Sequence, residues 1–235
     1  MSLAISLVSL LPYFPPFLSL FLYNPTSPMN IIKSITFFGG AILEKNMPEY
    51  QEAYRAADAC AREGLTVING GGPGIMMAAT TGAANAGGKT TAVYLEPDFA
   101  TTFEGKEHAV KADTVFSEKN YIERTKKLME LGDSYVFFNG GTGTISEFAM
   151  CWVVARLYFG YHKPVLLYGS FWEKIIQSFT DHMHIRPDEL RVLQIVESPA
   201  ALIAALEKFE DLIEQDRRIY IETPGVEKCL MLGPK

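Results

Sequence analysis

Little cysteine, little histidine and no surplus of positive charge narrow what this chain can do before any motif is read. Three cysteines, Cys60, Cys151 and Cys229, stand far apart in 235 residues, and no CxxC pair occurs. That argues against a disulfide framework and against the usual zinc-ribbon spacings. Cys60 and Cys151 fall inside helical patterns and read as buried free thiols, as expected of a cytoplasmic protein. Of four histidines, His182 and His184 are two apart, a spacing that does not share a helix face, so no metal centre is expected. Lys and Arg number 21 against 27 Asp and Glu, a net charge of −6. Such a balance gives no general attraction to a nucleic acid polymer or an anionic membrane, although a small anion could still bind locally.

Charge is absent altogether from residues 1–28, which contain "SLAISLVSLLPYFPPFLSLFLY". The length could span a bilayer. Pro12, Pro15 and Pro16 break it in the middle, and neither a basic flank nor a small-residue cleavage site is evident. A leader translated from a start placed too far upstream is the favoured reading, with a membrane anchor and a signal peptide as alternatives. The domain is expected to span residues 29–214, with 215–235 as a peripheral tail.

What the sequence has in abundance is alternation. Strand candidates at 31–38, 65–69, 90–95, 114–116, 134–138, 164–169 and 192–198 are separated by helical patterns at 48–64, 75–86, 119–131, 145–157 and 171–183, with a last helix at 199–214. The polar stretch 96–113 reads as a surface loop. Strand–helix alternation predicts an α/β fold: a doubly wound, Rossmann-like parallel sheet sandwiched by helices. Such sheets bind ligands beyond the carboxyl ends of their strands. Two glycine-rich loops, 70–74 and 140–143, each follow a strand and precede a helix, so they should meet at that edge.

Known phosphate-binding patterns fit these loops poorly. "GAANAGGKT" (82–90) has Ala83 where a P-loop needs its first glycine, and it lies between a helix and a strand, the wrong order. Gly72-x-Gly74 continues to Met77, and Gly141-x-Gly143 to Ser146, so both dinucleotide fingerprints are broken. What remains is general: a glycine turn exposes backbone N–H groups, the helix behind it adds a positive dipole end, and Thr142 and Thr144 add hydroxyls. That suits a phosphate monoester. Thr144-x-x-Glu147 has the spacing of a capping box, and on spacing alone Glu147 is a cap rather than a catalyst. Arg124 and Lys127 could form a solvated basic face or an anion clamp.

Taken together, "GGGPGIMMAATTGAANAGG" (70–88) and "NGGTGTISE" (139–147) resemble the LOG family, long labelled possible lysine decarboxylases. The family hallmark is P-G-G-x-G-T-x-x-E, its first loop is G-G-G-x-G-x-M, and its Arg lies fifteen residues before the hallmark, as Arg124 does before Asn139. The resemblance covers roughly residues 31–210. Asn139 departs from the family Pro, Thr125 from the Lys that follows the Arg in plant-type members, and Gly40 from a common Ser.

The resemblance implies a nucleoside 5′-monophosphate phosphoribohydrolase that cleaves the N-glycosidic bond of AMP or N6-modified AMP to free base and ribose 5-phosphate, through an oxocarbenium-like transition state. It assigns 5′-phosphate binding to Gly140, Gly141, Thr142, Gly143 and Thr144, and the facing wall to Gly71, Gly72 and Gly74. Glu147 would stabilise the ribosyl cation or activate water, and Arg124 would hold substrate and Glu147. A carboxylate in the first helical turn is favoured in its ionised form, which suits those roles and leaves the proton donor to the leaving base to be found elsewhere. No cofactor is implied, and nothing points to the pyridoxal phosphate of a decarboxylase. Family members are commonly homodimers. The alternative is a non-catalytic nucleotide- or molybdenum-cofactor-binding carrier of the same fold.

Overall fold

The computed structural model describes Met29 and residues 31–96, 111–158 and 162–222, with side chains through residue 214. The uncharged segment 1–28, most of the 96–113 loop and the end of the 215–235 tail lie outside the described residues. Seven strands form one parallel sheet: β1 (Ser34–Phe38), β2 (Thr66–Asn69), β3 (Thr90–Leu95), β4 (Thr114–Glu118), β5 (Ser134–Phe137), β6 (Val165–Tyr168) and β7 (Leu193–Val196). Their order is β4-β3-β2-β1-β5-β6-β7, and every neighbouring pair is parallel. The chain winds outward from β1 to β4, then returns to the other side of β1 with β5. The chain therefore leaves β1 and β5 toward opposite faces of the sheet, which places a crevice at its carboxyl edge.

Adjacent strand residues feed opposite faces, as the two-residue period of a strand requires. Phe37, Val136 and Leu166 join one core, and Phe38, Phe137 and Leu167 the other. The first core is closed by α1 (Pro48–Arg62), α2 (Ile75–Asn85) and α6 (Pro199–Glu222). The second is closed by α3 (Tyr121–Leu131), α4 (Thr142–Leu157) and α5 (Phe171–His182). Phe148 of α4 anchors that helix, with its ring 5.6 Å from Phe137 and 5.0 Å from Trp172. Trp172 in turn donates its indole N–H to the Phe137 carbonyl at 3.0 Å. The two free thiols, Cys60 and Cys151, are buried.

Two helix boundaries differ from the sequence expectation by more than two residues. Helix α4 begins at Thr142 rather than Ile145, because Gly141, at φ −95 and ψ −154, turns the chain into the helix directly after the β5 loop. Helix α6 runs to Glu222, eight residues past 214, since no Pro or Gly interrupts "QDRRIYIE". Its start is as expected, with Ser198 Oγ accepting the Ala201 N–H at 3.1 Å. Among the described residues no helix is long and apolar enough to cross a membrane.

The loops that frame the crevice are tied to one another. Gly40 N–H donates to the Asn139 carbonyl at 2.9 Å, and Ile75 N–H donates to the Gly40 carbonyl at 3.0 Å. Gly74 makes this closure possible. Its φ is +65, and a Cβ there would sit 2.2 Å from the Gly40 oxygen. We expect Gly74→Ala to lower stability by about 2–3 kcal/mol, combining left-handed strain with a backbone clash. A urea midpoint equal to the parent's would contradict this.

Candidate active site

The crevice is a cleft of about 410 Å³, walled by the loops after β1, β2 and β5 and by the first turns of α3 and α4. That volume suits a small-molecule ligand. Each wall has a local cause. The β2 loop is shaped by Asn69, whose Oδ1 accepts the Gly71 N–H at 2.8 Å while its Nδ2 donates to Thr80 Oγ1 at 2.8 Å. Helix α3 starts at an Asn120 cap, whose Oδ1 accepts the Glu123 N–H at 2.9 Å. One turn on, the helix delivers Arg124 inward, 5% exposed.

Arg124 is fixed by backbone carbonyls. Its Nε donates to Val93 O at 3.0 Å and its Nη2 to Gly70 O at 3.1 Å, at the carboxyl ends of β3 and β2. The Met76 thioether lies 3.8 Å from Nη2. A Cβ at Gly70 would fall 1.7 Å from Nη2, so a side chain there would displace the guanidinium from this seat. The remaining nitrogen, Nη1, faces Glu147 Oε1 at 3.6 Å. Glu147 is 6% exposed. Arg124 is thus buried and held by backbone carbonyls, and is not part of a solvated basic face. Lys127 instead extends over the Phe116 ring at 4.8 Å.

The capping-box reading of Glu147 fails. The N-cap of α4 is Gly141, with no side-chain cap, so Thr144 is the third helical residue and Glu147 the sixth. Glu147 therefore belongs to the second turn, where the helix dipole acts weakly. Its carboxylate is turned to Arg124, an arrangement that no helix-end requirement explains. The backbone N–H groups of Thr142, Gly143 and Thr144 come before the first intrahelical bond, Ile145 N–H to Gly141 O at 3.0 Å. These are the donors a helix start offers to an anion.

Of the residues singled out in the sequence, Arg124, Gly140, Gly141, Thr142, Gly143, Thr144 and Glu147 all line the cleft. Gly71, Gly72 and Gly74 do not: past Gly70 the loop turns away, with Gly71 (φ +72) against the Tyr94 ring and Gly74 against the β1 loop. Gly70 and Met76 provide that wall instead. Tyr121 is a lining residue that sequence reasoning missed; its place three residues before Arg124, on the same helix face, was the available signal. Thr125 is fully buried, and its Oγ1 makes no hydrogen bond of proper geometry.

His182 and His184 are exposed near the end of α5. Among the described residues, no group of three His, Cys, Asp or Glu could hold a metal ion. Among the described residues no lysine lines the cleft, so these do not fit pyridoxal phosphate, which is held as a lysine Schiff base.

Two stability predictions follow from burial. Arg124→Met leaves the Glu147 carboxylate buried without its counter-charge; access from the cleft places the cost near the lower end of roughly 3–5 kcal/mol. Denaturant unfolding should show Glu147→Gln in that background recovering part of the loss. Thr125→Val removes a buried hydroxyl whose contact with the Tyr121 phenol falls short of hydrogen-bond geometry, while keeping its shape, so Tm should stay level or rise. A clear fall in Tm would show that the hydroxyl has a partner.

The family model described as "possible lysine decarboxylase" matches residues 76–206. A cytokinin riboside 5′-monophosphate phosphoribohydrolase of Rhodococcoides fascians is 29% identical over 152 residues, 64% of this chain and 75% of the relative. Among solved structures, the molybdenum cofactor binding protein of Rippkaea orientalis superposes with TM-score 0.57 at 22% identity, covering 77% of this chain and 99% of that one. The Moco carrier protein of Chlamydomonas reinhardtii does so with TM-score 0.53 at 23% identity, covering 78% and 99%. At such identities these structures speak for the shared fold alone. The match over more than half the chain shows that it belongs to the possible lysine decarboxylase, or LOG, family.

Proposed function

We propose that the cleft binds a nucleoside 5′-monophosphate, AMP or an N6-modified AMP, and hydrolyses its N-glycosidic bond to free base and ribose 5-phosphate. The observation that carries this reading is the buried Arg124–Glu147 pair, set in the same cleft as the unpaired helix start of α4. Glu147 lies five residues beyond Thr142, about 7.5 Å along the helix axis at roughly 1.5 Å per residue. Helical side chains lean toward the N-terminus, which shortens that span. A phosphate on the first turn would therefore leave the ribose opposite the carboxylate.

In this scheme the N–H groups of Thr142, Gly143 and Thr144 hold the 5′-phosphate. Gly140 and Gly141 keep the approach free of side chains. Glu147 stabilises positive charge developing at C1′ and accepts a proton from the attacking water. Arg124, fixed by Val93 O and Gly70 O, orients the carboxylate and one edge of the sugar. The balance closes on water: its oxygen ends on C1′ and one of its protons on the departing base nitrogen, so water and nucleotide become ribose 5-phosphate and the neutral free base. A carrier of the same fold would need the anion cradle but not a carboxylate buried beside it.

The expected partner is a second copy of this chain. Helix α4 leaves Ile145, Ala149, Val153 and Leu157 exposed at four-residue intervals, an apolar stripe on the helix that carries the cradle. Val153→Glu with Leu157→Glu should move the protein from dimer to monomer in light scattering; a parent that is already monomeric would overturn this. The cytoplasm is the proposed compartment.

A panel of purine and pyrimidine nucleoside 5′-monophosphates, assayed for free base and ribose 5-phosphate, tests the reaction. Glu147→Gln should lose at least about a hundredfold in kcat while still binding AMP in calorimetry. Binding by the parent without base release from any nucleotide would favour the carrier.

A further inference from the structure

The proposed cradle has a physical weakness. Gly140, Gly141 and Gly143 lie in or next to the turn that would hold the phosphate. Glycine backbone is permissive, so such a turn has more conformations to lose on binding than any other. A cradle that binds well must be held in shape from outside.

The structure holds it at one carbonyl. Tyr121, the first residue of α3, reaches across the cleft wall and donates its hydroxyl to Gly143 O at 3.0 Å. The same phenol oxygen lies 2.7 Å from Ser146 Oγ, and Ser146 Oγ donates to Gly143 O at 2.8 Å. The three groups form a closed triangle around the carbonyl of the second helical residue of α4. Tyr121 and Arg124 share a face of α3, three residues apart. One helix thus contacts α4 twice: Arg124 at the Glu147 carboxylate, and Tyr121 at the first turn.

We propose that Tyr121 is a positioning residue that pre-organises the glycine-rich first turn of α4 as the phosphate cradle, with Ser146 as the second arm of the same clamp. The proposal rests on the nucleotide-binding reading of the cleft and extends it to a residue outside the glycine motif. The phenol suits a permanent donor. Burial, and then the nearby Glu147 carboxylate, push its pKa above the ordinary tyrosine value, so the hydroxyl keeps its proton through the neutral and mildly alkaline range. A phenylalanine would fill the same wall and leave the carbonyl with Ser146 alone.

The test is Tyr121→Phe, alone and combined with Ser146→Ala, in the full-length protein. Calorimetry with AMP and with ribose 5-phosphate should show Kd weakened roughly three- to tenfold, the scale of one hydrogen bond. KM for the nucleotide should rise by the same factor, with kcat changed less than about twofold. Amide hydrogen exchange at residues 142–146 should quicken while the remainder of α4 stays protected. The double variant should lose less than the product of the two single effects, because both act on one carbonyl.

Unchanged Kd and unchanged exchange in Tyr121→Phe would overturn the proposal while leaving the function reading intact. A fall in kcat at constant KM would also overturn it, by placing Tyr121 in the chemical step. Absence of AMP binding by the parent would instead overturn the function reading, and the cradle with it.

Discussion

A guanidinium charge buried under the carboxyl ends of β2 and β3 is the constraint on which this site is built. Arg124 is held by Val93 O and Gly70 O, and neither neutral carbonyl cancels its charge. A buried cation without a counter-ion is strongly disfavoured, so the second turn of α4 must bring a carboxylate to it. Glu147 does so at 3.6 Å, longer than a charge-assisted hydrogen bond. The two groups therefore neutralise each other without closing on each other, and both still line the cleft.

Several features follow from that pairing. Glycine at residue 70 leaves the guanidinium the space that a side chain would take. Helix α4 must sit in register with α3, and Phe148, next to Glu147, sets that register by packing on Phe137 and Trp172. The β1 loop must stay low, which the Gly40–Asn139 and Ile75–Gly40 bonds enforce. The departure from the family Pro at Asn139 does not disturb this, since the contact uses the residue's backbone carbonyl. At Gly40 a Cβ would meet Asn139 O and Gly140 Cα at 3.3 Å, close but not prohibitive, so its absence chiefly leaves the floor of the cleft more open. Thr125, the third departure, is buried away from the cleft lining and alters packing behind Arg124 instead of the ligand surface.

Much of the fold was legible in the sequence because period and punctuation agreed: short apolar runs ended at glycines, and helices started at caps such as Ser198. The order of strands was not, since nothing local says that β5 returns to the far side of β1. The α4 boundary was misread for a physical reason. Thr144-x-x-Glu147 satisfies the capping-box spacing, but Gly141 initiates the helix three residues sooner, and the carboxylate passes from the helix end to the cleft. In the β2 loop, glycines 71, 72 and 74 were visible as a motif, but it is Gly70 that lines the cleft beside Arg124, while Gly71 and Gly74 pack against Tyr94 and the β1 loop. Tyr121 was invisible because its function, if it clamps Gly143, depends on a contact 22 residues away in sequence.

The central claim is that one cleft combines an anion-binding helix start with a carboxylate placed for glycosidic cleavage. It is tested most directly by comparing AMP with adenosine as substrates under identical conditions, measuring free adenine. If the 5′-phosphate anchors the ribose against Glu147, kcat/KM for AMP should exceed that for adenosine by at least about a hundredfold, a difference of some 2.7 kcal/mol in transition-state binding. Equal rates for the two, or adenine from neither, would contradict the account.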